Sequence, residues 1–381
     1  MAVAEGTAGH DGSAVREAEH APVTVAGAIE GLRSVMLAVA IPAGLGTRLE
    51  RLRVPKRLAP VLAAALIALA PLAVEAVLRA AQIGGSPYPE WVWVAIYAGF
   101  AAYLIAASTY VADRLRTVGP WIDTLLNSPE ESEALAKWVR KSAPRGVQYA
   151  GCALLAVGIA TVVEVAVHQS KSDLPARLPW LLGVAVAMFF AIDAVSWVVR
   201  FTWLLARLRR PDELAVQTAV PVLTPAIRVL RDFSATLAAV TGVGLCFFSV
   251  PLLWLIVHVR AEGVDGGAVR TWSLVGLVVC AGISLYAAAA PQLYLALVVG
   301  RQRDRILDAI DGCIPKGDHE QLFEAGTEAD LAKQRALFDA IAATRTSTIG
   351  VTSVVKWALG LLAPVLPFAA SQIAKGIGLS F

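Results

Sequence analysis

The sequence predicts an all-α, polytopic helical membrane protein, and three observations carry that prediction. Hydrophobic residues make up 57% of the chain and charged residues only 17%, against about 25% charged in an ordinary soluble domain. Apolar runs of about 20 residues recur, the length a helix needs to cross a hydrocarbon layer about 30 Å thick. Lys and Arg are segregated to one side of the hairpins those runs would form. A soluble protein of 381 residues could bury a large core, but it would interrupt its apolar runs far more often.

From the start, residues 1–22 are small, polar and charged, and are expected to form a disordered tail. Segment 23–57 joins an apolar stretch too short to span, Val35–Gly46, to the basic run RLERLRVPKR. Charge after the apolar stretch is the reverse of the order in a secretory signal. Val23–Leu45 is therefore expected to lie as an amphipathic helix on the inner membrane surface.

Six transmembrane helices follow, at 58–80, 91–112, 146–168, 180–201, 235–258 and 272–300. They form three hairpins, 58–112, 146–201 and 235–300. Long charged connections at 113–145 and 202–234 separate the hairpins, and a third charged segment, 301–346, follows the last. Each of these carries helix signals. Ser128 is placed as an N-cap with Pro129 first in the helix and Glu131 reaching back, Thr224–Pro225 repeats the start, and Thr327 with Asp330 restarts a helix after the break at PKGD. Spans four and six are expected to run on past the membrane and pack with these helices into a cytoplasmic layer.

Orientation follows from charge. Only Arg79, Lys171, Arg177, Arg260 and Arg270 flank or occupy the short connections; the other 28 of the 33 Lys and Arg residues lie toward the opposite side. By the positive-inside tendency the N-terminus and long connections are cytoplasmic, and the protein is a multi-pass component of the plasma membrane. Trp91, Trp180 and Trp272 begin spans two, four and six, where an outer aromatic belt would put them. These tryptophans, the basic triplets at Arg114–Arg116, Arg207–Arg209 and Arg301–Arg303, and the trio Arg79, His168 and His258 recur at intervals of about 90 residues. Such a period suggests three related hairpins; interface preferences alone would place the same residue types similarly. A single Asn in a chain rich in Ala, Val and Arg points to a GC-rich bacterial genome.

The segment 347–381 predicts a seventh, membrane-embedded C-terminal helix. Hydroxyls at Thr344, Thr346, Ser347, Thr348, Thr352 and Ser353 suit close helix contact or a path lining better than lipid. Lys356 would snorkel to the inner surface, while Pro364 and Pro367 would kink the helix. A helix lying on the surface or re-entering from it is the other possibility.

Charges inside the spans supply the candidate sites. Asp193 lies about 20 Å into span four, so it is expected to face the bundle interior, to be protonated, or to pair with a cation such as Arg200 or Lys356. It either fixes helix register or marks an ion, proton or substrate site. Near the outer face, Glu75 with Arg79 and Glu164 with His168 share helix faces four residues apart, and His258 adds a third member. This set is either an outer vestibule or a group of interfacial pairs. Pro291 is expected to bend or unwind span six.

No zinc-protease, nucleophile-elbow or Walker pattern occurs, and the four cysteines show no ligand spacing. No enzyme activity, cofactor, metal or nucleic-acid partner is expected. The lipid bilayer, further copies of the chain and a cytoplasmic protein are the expected partners. A cytoplasmic N-terminus, six spans with cytoplasmic extensions and a final seventh helix together resemble the layout of the seven-helix insect chemoreceptor channels. The resemblance is one of plan and carries no site residue across. It implies a homo-oligomeric channel or small transporter whose last helix lines the path; the other reading is a membrane anchor or signalling scaffold that docks a partner.

Overall fold

The computed structural model describes residues 24–30, 59–81, 90–142, 146–167, 174–210, 214–216, 221–258, 266–313 and 328–343, with 355, 356, 358 and 362 from one further helix. In chain order these form α1 (Val25–Glu30), α2 (Ala59–Ala80), α3 (Glu90–Leu125), α4 (Pro129–Ser142), α5 (Gly146–Val167), α6 (Leu174–Leu208), α7 (Pro225–His258), α8 (Gly266–Cys313) and α9 (Glu328–Ala342). A short 3-10 turn, Pro221–Leu223, precedes α7. No strand occurs among the described residues, only an isolated antiparallel bridge between Leu126 and Leu214. Among the described residues four helices, α3, α6, α7 and α8, are long and apolar enough to cross a membrane. Helices α2 and α5 have 22 residues each, about 33 Å at 1.5 Å per residue.

The helices pair in sequence order, α2 with α3, α5 with α6 and α7 with α8. Helices α3 and α6 stand at the centre, touching each other and most of the rest. Two buried clusters stack along the bundle. One joins α2, α3, α5 and α6 through residues such as Ala68, Phe100, Ala156 and Phe190. The other gathers the basic ends of α3, α6, α7 and α8 with α1 and α4.

That second cluster explains why the helices outrun the expected spans. Span two was expected to end at 112 and span five to begin at 235, yet α3 continues to Leu125 and α7 starts at Pro225, as α6 and α8 also extend. Beyond the apolar run each keeps a buried stripe at helical spacing: Val111, Leu115, Val118, Ile122 and Leu125 on α3, and Ala226, Leu230, Phe233 and Leu237 on α7. A periodic apolar face continues a helix into polar sequence because packing, rather than propensity, holds it.

Local signals set the starts. Ser128 caps α4, its hydroxyl accepting from the Glu130 backbone N–H at 3.2 Å, with Glu130 and Glu131 in the first turn and Arg140 and Lys141 in the last, matching the helix dipole. Hydroxyls within the apolar helices bond back to a carbonyl four residues earlier, as Thr202 does to Val198 and Thr241 to Leu237, both at 2.8 Å. Leu154 on α5 and Val278 on α8 are 74% and 71% exposed. Such broad apolar faces suit lipid rather than water.

Three details were not anticipated. The described part of the N-terminal segment packs against protein. Helix α1 is wedged against α3 and α4, with Val25, Ala28 and Ile29 buried. Its first amides, Val25 N and Ala26 N, each donate to the Asp123 carboxylate at 2.9 Å, which also accepts from Ser132 Oγ at 2.8 Å. Free N–H groups at a helix start and a carboxylate satisfy one another, and this fixes α1 on protein. Second, Pro291 does not unwind span six: α8 is continuous from Gly266 to Cys313. One proline removes a single intrahelical bond, and tight packing of Ala287, Ala288 and Leu295 around it holds the turn. Third, Trp180, expected in the aromatic belt, is buried in the core, while Trp272 is exposed.

The 1–22 tail, residues 31–58, the PKGD break, the hydroxyl residues from Thr344 to Ser353, and Pro364 and Pro367 lie outside the described residues.

Candidate functional site at the waist of the bundle

On α6, Phe190 belongs to one buried cluster and Trp197 to the other, and Asp193 sits between them at 0% exposure. The complete burial meets the condition set by its position: it faces protein, not lipid. Ser196 Oγ donates to the Asp193 backbone carbonyl at 2.6 Å. Two turns further on, the Arg200 guanidinium lies over the Trp197 ring, 5.9 Å from its centre. Helix α5 packs along α6. A buried carboxylate with a cation nearer the membrane surface can lock helix register or hold a proton or cation.

Between α3, α6 and α7 is a cavity of about 50 Å³, walled by Leu104, Ser108, Ala194, Trp197, Leu237, Thr241 and Gly244 among others; Asp193 itself is not in its wall. It has room for a few water molecules and none for an organic solute. A second cavity of about 30 Å³, lined by Trp138, Ser142, Trp197, Arg200 and Phe233, lies toward the basic end. Trp197 borders both.

Lys356 does not reach Asp193. Its ammonium donates to Thr236 Oγ1 on α7 at 3.1 Å, which sets Lys356 beside the basic end of α7. A snorkelling lysine near the inner surface was expected; the hydroxyl that receives it was not. At the opposite end Arg79 Nε donates to Glu75 Oε1 at 2.7 Å across one turn of α2, with Glu75 nearly buried. Glu164 and His258 fall within α5 and α7, but their side chains, and all of His168, lie outside the described residues. Among the described residues no three His, Cys, Asp or Glu side chains gather to hold a metal.

No protein-family model, no curated protein and no solved structure matches this chain. The likeness to insect chemoreceptor channels therefore rests on the order of helices alone.

Several residues that organise the site had no signal in the sequence. Tyr103 OH donates to the Val240 carbonyl at 2.8 Å and ties α3 to α7; tyrosines in apolar runs are common, and nothing local marks this one. Ser284 on α8 is buried, and its hydroxyl meets no hydrogen-bond partner among the described residues. Removing a desolvated, unbonded hydroxyl is neutral to favourable. Ser284→Ala is expected to leave the melting midpoint in detergent unchanged or raise it; a fall of several degrees would show that the hydroxyl is bonded.

Proposed function

We propose that this chain is a multi-pass protein of a bacterial plasma membrane, with its N-terminus and basic helix ends in the cytoplasm. It crosses six times, through α2, α3, α5, α6, α7 and α8, and a seventh, membrane-embedded helix follows. It assembles with copies of itself into a channel or small transporter whose path is lined by that last helix. The observation that carries this reading is the Lys356–Thr236 hydrogen bond. It holds Lys356 against α7, and the apolar sequence that follows, 357–373, would be about 25 Å long as a helix, enough to cross most of the hydrocarbon. The waist cavity is too small for a solute, which favours a path between subunits over one through this part of a single bundle.

The alternative is a scaffold that docks a cytoplasmic partner, and the packed layer of α1, α4 and the helix extensions favours it. Reconstitution separates the two. The channel reading expects solute or ion flux in liposomes, reduced by Asp193→Asn and by Thr348→Leu, and a tag on Phe381 facing the side opposite the N-terminus. Tight liposomes, silent substitutions and a cytoplasmic Phe381 would leave the scaffold.

A further inference from the structure

At the basic end of α6, a surface groove of about 280 Å³ opens between α6 and α4, lined by Trp138, Trp203, Ala206, Arg207 and Arg210. The Arg207 guanidinium is stacked over the Trp138 ring, 5.5 Å from its centre. That contact joins the two helices and holds a planar cation in a fixed attitude. Neither Arg207 nor Arg210 meets a carboxylate among the described residues, whereas nearby Lys137 is engaged by Glu133 at 2.8 Å. Among the described residues, the two arginines thus keep donors that no carboxylate takes up.

Depth identifies what reaches them. Trp203 lies 25 residues past Leu178, where the apolar stretch of α6 begins, about 38 Å along the helix and so beyond a 30 Å hydrocarbon layer. It is 57% exposed, as an interfacial tryptophan should be. Arg207 and Arg210 follow one and two turns further. Helix α4 ends at Ser142, α5 rises from Gly146 along α6, and Leu154 and Leu155 are exposed on it. The same helix α6 that carries the cationic groove thus packs against a helix with an exposed apolar face, and a phospholipid needs both kinds of surface.

We infer that this groove is a binding site for the phosphate of an anionic phospholipid headgroup. Arginine presents paired N–H donors that match phosphate oxygens, Trp138 pre-orients Arg207, and Trp203 covers the glycerol level of the lipid. The site is independent of whether the protein conducts, because it needs only the basic helix ends at a membrane surface.

Native mass spectrometry of the full chain in neutral detergent, with phosphatidylglycerol and phosphatidylcholine at equal concentration, tests it. Phosphatidylglycerol should be retained in preference. Arg210→Gln should weaken its retention about fivefold, the effect of one cation near a charged surface, and Arg207→Gln with Arg210→Gln should bring it to the phosphatidylcholine level. Arg140→Gln, exposed on α4 and outside the groove, should change nothing. Arg210 is exposed, so its variant folds even if loss of the Arg207–Trp138 stack loosens α4. Equal retention of both lipids, or no effect of Arg210→Gln, overturns the inference. Displacement by millimolar inorganic phosphate also overturns it, by making the ligand a soluble phosphate compound.

Discussion

Asp123→Ala is expected to detach α1 from the bundle. The carboxylate accepts three short hydrogen bonds, two from the first amides of α1 and one from Ser132. Bonds to a charged acceptor contribute about 1.5–3 kcal/mol each when lost singly, and loss of a helix cap costs about 1 kcal/mol. A six-residue helix has almost no stability of its own, so the loss falls on docking and not on the whole fold. The expected result is a rise of two to three orders of magnitude in amide exchange at residues 25–30, with the exchange of α6 and α7 unchanged. Asp123→Asn should fall between, because one oxygen still accepts while the new amide group faces a backbone donor. Gly119 offers an independent approach to the same corner. A Cβ there would lie 2.9 Å from the Ala26 Cα, and backbone cannot yield as a side-chain tip can. Gly119→Ala should therefore expel α1 although it adds one methyl group and improves the propensity of α3. If exchange at residues 25–30 is the same in all three variants, the docking is not what holds this segment.

That corner also shows where sequence reasoning stops. Four long apolar helices are legible from composition because lipid demands uninterrupted apolar length; α2 and α5 lie within the expected ranges, α7 overruns its range at the basic end, and α6 and α8 overrun theirs at both ends. Asp193 is visible for the same reason: one carboxylate in an apolar run has few places to go. The docking of α1 is not visible, because its partner lies 98 residues away and VAGAIE reads equally well as a stretch for a membrane surface. The helix start at Pro225 was legible from Thr224–Pro225, but its continuity with span five, and that of α3 past 112, were missed because a stripe repeating every three or four residues inside charged sequence was read as part of a connection. The arginine groove is a product of tertiary packing alone: Arg207 is unremarkable until α4 brings Trp138 against it. Features fixed by the solvent of each residue were legible; features fixed by a distant residue were not.

Gly244→Leu is expected to be among the most damaging single changes in the membrane-embedded half. Here α3 and α7 approach closely enough that a Cβ on Gly244 would sit 3.2 Å from Tyr103 Cε1 and 3.6 Å from Leu104 Cδ2. The Tyr103 ring is held on both sides of that contact. Its hydroxyl donates to Val240 O, and its face meets Phe247 with centroids 5.4 Å apart. An alanine would press on the ring edge by a few tenths of an ångström, and the gain of about 1 kcal/mol in helix propensity offsets that strain, so Gly244→Ala should be close to neutral. A leucine must displace the ring, which breaks the hydroxyl bond in an apolar setting and separates the helices around the waist cavity. Overpacking of this kind costs about 1–3 kcal/mol, and stranding the phenol adds about 1 kcal/mol or more. Tyr103→Phe alone should cost about 1 kcal/mol. The decisive measurement is the double variant Tyr103→Ala with Gly244→Leu, because the leucine can then occupy space the ring has left. If the crossing is built on this ring, the two losses will be less than additive by at least about 1 kcal/mol in denaturation from detergent micelles; strict additivity would mean that the ring and the glycine do not press on one another.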